Sequence, residues 1–80
     1  MSNEEALIIE QIVGGDAAAF EILVRKYQAR LFNSLIHAIG CPEEAEDVAQ
    51  EAFVKAYSKI DTFKQNSSFY TWLYRISINI

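Results

Sequence analysis

Two stretches of this sequence hold side chains whose types and spacing could do chemistry. The first is "FKQNSSFYTWLYRISIN", Phe63 to Asn79. Four of the chain's ten aromatic residues (Phe69, Tyr70, Trp72, Tyr74) fall within six positions there. On a wheel of about 100° per residue, Phe69, Trp72, Leu73, Ile76 and Ile80 share one face, with Trp72 at its boundary. That face reads as core. Tyr70, Thr71, Tyr74, Arg75 and Asn79 turn away from it. The outward set suits nucleic acid. Arg reaches a phosphate or a base edge, Asn and Thr hydrogen-bond base edges, and aromatic rings stack on exposed bases. The loop "FKQNSS" before it adds a positive charge and several amide and hydroxyl side chains. Such a loop can wrap an extruded base and read its Watson–Crick edge. A polar helix face with a capping loop accounts for the same residues equally well at this point.

The other stretch is "PEEAEDVAQEAFVKAYS". One side of its wheel carries Ala45, Val48, Ala49, Ala52, Phe53 and Ala56, continued by Ile60. The opposite side carries Glu43, Asp47, Gln50, Glu51, Val54 and Ser58, flanked by Glu46 and Tyr57. An apolar Val54 ringed by acids and an amide has the anatomy of a small docking patch. Its partner would be basic and arginine-rich, because carboxylates accept forked hydrogen bonds from guanidinium groups. On the wheel alone an ordinary solvated face fits slightly better, since single exposed valines are common.

Other chemistries lack residues. Glu43/Asp47 and Asp47/Glu51 have i,i+4 spacing, but no His or Cys joins them on the helix, and His37 stands alone on another one. No Ser/His/Asp set, Gly-rich phosphate loop or paired Cys appears. No enzyme, metal site or cofactor is therefore expected.

Four helices, and no strand, must position these stretches. "EEALIIEQIV" predicts a short helix with Leu7, Ile8 and Ile12 on one side, stopped by Gly14-Gly15. Asp16 is a good N-cap for a second helix running to about Ile39, with Phe20, Leu23, Val24, Tyr27, Leu31, Leu35 and Ile39 as its apolar stripe. Gly40 ends it. Pro42 opens the third helix at a position proline favours, behind Cys41, a poor cap. Its run of alanines lets another helix approach closely. Asp61–Ser68 reads as a polar connector, and Ser67 or Ser68 as the cap of the last helix. The expected fold is a compact all-α domain of three to four helices over residues 1–80.

The bulk numbers agree. A chain of 80 residues makes one marginally stable domain. One cysteine allows no internal disulfide, which favours a reducing compartment. No signal peptide or membrane-spanning run is visible, so a cytoplasmic place without membrane insertion is expected. Net charge is −4, but residues 1–51 hold ten acids against three bases (−7), and residues 52–80 one acid against four bases (+3). Helix-dipole placement explains part of this split but not its scale, and an acidic front and basic back suggest two different partners.

The stretches "DAAAFEILVRKYQARLFNSLIHAIG", "EEAEDVAQEAFVKAYSKID" and "FKQNSSFYTWLYRISIN" follow one another as in the extracytoplasmic-function sigma factors of bacterial RNA polymerase. The resemblance covers Gly15 to about Asn79. "EDVAQEAF" and "FYTWLYRI" are its specific parts, and "FYTWLYRI" resembles the envelope-stress branch most of all. The resemblance implies the sigma region 2 domain, which binds core polymerase and opens the minus-ten promoter element. By that likeness Asp47, Gln50 and Glu51 would dock on the β′ clamp helices, with Val54 and Tyr57 in the same zone. The patch then becomes the favoured reading. Phe63 to Ser68 would capture a flipped base of the non-template strand, with Lys64, Asn66 and Ser67 foremost. Tyr70, Thr71, Trp72, Arg75 and Asn79 would map to recognition and melting. The likeness also implies an anti-sigma factor as a further partner.

Family members continue into a further, helix-turn-helix domain that this sequence does not contain. The stop inside the last helix, on an apolar residue, reads as that of a fragment. A small helical adaptor that binds a basic protein and never touches DNA is the alternative. A membrane-surface helix would need a cationic amphipathic face, and the acidic polar side of the third helix argues against one.

Overall fold

The computed structural model describes residues 3–80 and is built from helices. They are α1 (Asn3–Val13), α2 (Ala17–Ile39), α3 (Pro42–Ser58) and α4 (Phe69–Ile78), with a short 3-10 turn at Ile60–Thr62 between α3 and α4. The connections after α1 and α2 are short, so successive helices pack side by side: α1 on α2, α2 on α3, and α3 on α4.

Local chemistry sets the helix ends. After α1 the Asp16 N–H bonds the Gln11 carbonyl and the Gly15 N–H bonds the Ile12 carbonyl, a Schellman motif. Gly15 has φ 111°, which a β-carbon would strain. Asp16 then caps α2, its side chain accepting from the Ala19 N–H at 3.3 Å. Gly40 closes α2 with φ 83°. Pro42 occupies the first turn of α3, and Cys41 supplies no capping hydrogen bond.

The core is one cluster. Phe69, Leu23, Leu31, Leu35 and Leu73 are its largest fully buried side chains. On α3, Ala45, Ala52 and Ala56 have no exposed surface and Ala49 little, so the small face lies against its neighbours.

Several expected faces move. On α1 the buried apolar residues are Ile9 and Ile12, while Leu7 is exposed. The buried stripe is Glu5, Ile9, Ile12, also an i, i+4, i+7 series. A carboxylate can lie there because α2 satisfies it: the Tyr27 hydroxyl donates to Glu5 Oε2 at 2.6 Å and the Lys26 ammonium at 2.9 Å. Ile39 and Ile80 end exposed rather than in the core. α3 stops at Ser58, and Ile60 reaches the core from the 3-10 turn instead. The connector is not wholly polar, since Phe63 is buried among Phe69 and Trp72.

Candidate functional site

The loop from Phe63 to Ser68 is pinned at both ends. Phe63 and Phe69 are buried and meet edge to face, centroids 6.0 Å apart. Between them Lys64 and Asn66 are exposed, and Gln65 and Ser67 half-buried. Gln65 adopts φ 59°, the left-handed region, the one described non-glycine residue to do so. Of the two caps foreseen for α4, Ser67 or Ser68, it is Ser68 that caps it. Its Oγ accepts from the Thr71 N–H at 3.1 Å and donates to Thr71 Oγ1 at 2.9 Å. A short loop is thus held rigidly at its feet with polar side chains at its crest.

α4 distributes the foreseen residues over three sides. Thr71 and Arg75 face solvent. Trp72 leans toward the loop, its ring 5.0 Å from that of Phe63, and together with Arg75, Ile76 and Asn79 it borders the end of α3. Asn79 is exposed, and its amide donates to the Arg75 carbonyl at 2.8 Å. Tyr70 turns toward α2, and Tyr74 stacks beside it, both on the core's edge. Tyr70 is therefore not the free outward ring its wheel position suggested. The Arg30 guanidinium lies 3.9 Å from its ring centroid, Tyr27 and Tyr74 flank it, and its hydroxyl hydrogen-bonds Ser34 Oγ at 2.7 Å. Arg30, Ser34 and Tyr27 all belong to α2, so the wheel of α4 alone could not tell that Tyr70 is covered. Phe63 likewise is an anchor under the loop and not a ring presented by it.

The outer face of α3 has the foreseen form. Asp47, Gln50 and Glu51 are exposed, and Val54 stands 69% exposed among them. Tyr57 is half-exposed, its ring edge-on to Phe20 at 5.2 Å. Glu51 has a loose partner, the Lys55 ammonium at 3.6 Å. Among the described residues no three His, Cys, Asp or Glu side chains group as a metal ion would require, and no helix is long and apolar enough to cross a membrane.

A family model described as Sigma-70 region 2 matches residues 23–80, which take in both surfaces. The chain belongs to this family. Region 2 sequences similar to it include the RNA polymerase sigma-H factor of Pseudomonas aeruginosa, 45% identical over 96% of this chain and 40% of that protein. The ECF RNA polymerase sigma-E factor of Escherichia coli K12 is 43% identical over 94% of this chain and 39% of its own length. The chain thus spans about two fifths of these relatives. Among solved structures, an engineered region 2 of sigmaE, determined by NMR in complex with GTAAAA, superposes with a TM-score of 0.82 at 38% identity. That alignment covers 99% of this chain and 84% of the other.

Sequence reasoning missed some residues of this region 2. Arg30 and Ser34 fix Tyr70, and nothing local to α2 marks them. Buried Ser77 donates from Oγ to the Tyr74 carbonyl at 2.6 Å within α4. Glu5 lay on a helical stripe with Ile9 and Ile12, a signal that was present but looked polar. Burial and then the Glu5 hydrogen bond raise the Tyr27 phenol above its ordinary pKa. Glu5 raises Lys26 likewise, by hydrogen bond and then by charge.

Proposed function

We propose that this chain is the part of a bacterial transcription-initiation factor that docks on core RNA polymerase and holds the opened minus-ten promoter element. The observation that carries the reading is the pinned, polar-crested loop beside Trp72 and Arg75, in a chain 38% identical to a region 2 whose structure contains GTAAAA. Lys64, Asn66 and Ser67 meet the flipped non-template base. Trp72 offers the stacking surface nearest the loop, and Thr71, Arg75 and Asn79 meet the strand beyond it. Phe63 and Tyr70 hold these elements in place from below.

The mechanism is differential binding. A site that holds single strand better than duplex shifts promoter melting forward without bond chemistry. Extruding a base costs a few kcal/mol, and stacking returns about 1–3 kcal/mol per base. The acidic face of α3, with Asp47, Gln50, Glu51, Val54 and Tyr57, docks on the basic β′ clamp helices of the polymerase. An anti-sigma factor is the partner that would cover these surfaces.

The test is to titrate GTAAAA, and the same sequence held as duplex in the stem of a G·C-clamped hairpin, into the chain. Tighter binding of the single strand supports the reading. Equal binding of both, or binding of neither, contradicts it.

A further inference from the structure

Tyr27, in the middle of α2, touches both α1 and α4. Its hydroxyl donates to Glu5 Oε2 of α1 at 2.6 Å. Its ring lies 5.7 Å from that of Phe69 and 5.8 Å from that of Tyr70, the first two residues of α4. Phe69 in turn meets the Phe63 ring at 6.0 Å and the Trp72 ring at 5.9 Å. Two side chains, Tyr27 and Phe69, thus connect Glu5 to the foot of the loop and to the ring nearest it. We propose that Glu5 is a positioning residue for strand binding: by fixing the Tyr27 ring it sets the start of α4, and with it the loop and Trp72. The inference rests on the reading that the loop and α4 hold single-stranded DNA.

Burial and geometry both support it. A buried tyrosine hydroxyl needs a partner in any case, and the Lys26 ammonium alone could pair with Glu5. That accounts for the two bonds but not for the place of the ring. Among the described residues, Tyr27 is the one aromatic residue of α2 whose ring meets those of α4. Phe69 has no exposed surface, and in a close-packed core it cannot shift without its neighbours. Apolar contacts are non-directional, so a ring held by them alone can slide in its own plane. A hydrogen bond has a preferred direction and removes that freedom. The carboxylate is itself held, because one oxygen takes the Tyr27 hydroxyl and the Lys26 ammonium together. α1 lies outside residues 23–80 that the family model matches, and through Glu5 it acts on a surface that it does not line.

The experiment compares the parent chain with Tyr27→Phe, Glu5→Gln, both together, and Ile12→Val. The last trims a buried side chain two turns further along α1. Urea unfolding measures what each change costs in stability, and circular dichroism in the cold checks that each chain is folded. Fluorescently labelled single-stranded GTAAAA is then titrated under the same cold conditions. Tyr27→Phe is expected to weaken binding roughly three- to tenfold, and Glu5→Gln, which keeps an acceptor, by less. Both are expected to shift the Trp72 indole N–H resonance of the free chain. In the Tyr27→Phe background, Glu5→Gln is expected to cost no further affinity, since it acts through the missing hydroxyl. Ile12→Val is expected to lose stability yet keep the parent's affinity and Trp72 resonance. Parent affinity in folded Tyr27→Phe, a full further loss in the double variant, or an equal loss in Ile12→Val would overturn the positioning role while leaving the loop reading intact. A parent chain that fails to bind the strand would overturn both.

Discussion

Glu5 shows how much one side chain can decide. A carboxylate 5% exposed is costly unless paired, and here one oxygen takes both the Tyr27 hydroxyl and the Lys26 ammonium. It ties α1 to the middle of α2. Glu5→Gln keeps the shape and removes the charge, and is expected to cost about 1–2 kcal/mol near neutral pH, read by urea unfolding. The pH dependence has a definite sign. Tyr27 and Lys26 both have folded pKa values raised above their unfolded ones. Their contribution is whole below about pH 10 and is lost as pH rises through the folded values. The stability gap between parent and Glu5→Gln should therefore narrow in alkali, and a gap that widens there would contradict the pairing. Gln65 is the other telling residue, at φ 59° on the loop crest. Glycine there relieves about 1 kcal/mol of backbone strain, less its own entropy cost. Gln65→Gly should leave Tm unchanged or slightly raised, and a marked fall would mean that the Gln65 side chain holds the loop.

At the scale of elements, α4 carries most of the side chains proposed to meet DNA, and its start depends on Ser68. Ser68→Ala is expected to cost about 1 kcal/mol and to loosen the loop's C-terminal foot, so that affinity for single-stranded GTAAAA falls with it. If stability falls and affinity does not, the loop does not need a fixed foot. The elements were largely legible in the sequence, because caps and stops act locally: Asp16, Gly40, Pro42 and Ser68 each mark the helix end where the structure has one. The alanine face of α3 was legible for a similar reason, since its period admits one inward side. What stayed hidden depends on a neighbouring helix. Nothing within α1 shows that Glu5 can be buried, because its partners Lys26 and Tyr27 lie on α2. Tyr70 looked free until α2 ran beside it with Arg30 and Ser34. Phe63 looked like loop until Phe69 and Trp72 closed over it. A wheel describes one helix, and each of these placements depends on residues outside it.

Across the whole molecule, charge is divided to match two surfaces. Ten of eleven acids lie in residues 1–51, and four of seven bases in residues 52–80. The outer face of α3 is acidic around Val54, while the loop and α4 carry Lys64 and Arg75 and no acid. Docking and strand binding should therefore be separable. Asp47→Ala with Glu51→Ala is expected to abolish co-purification with core polymerase while helicity and binding of GTAAAA persist. Retained co-purification would remove the docking assignment. Neutralising Lys64 and Arg75 should act the other way, weakening open-complex formation in the holoenzyme and flattening its salt dependence. The central claim, that the loop and α4 hold the opened strand, is tested most directly by NMR titration of the isotopically labelled chain with GTAAAA. The account predicts amide shifts concentrated in residues 63–79, strongest at the loop crest and around Trp72, with the outer face of α3 unmoved. Shifts centred on Asp47 to Val54, or none at a large excess of strand, would contradict it.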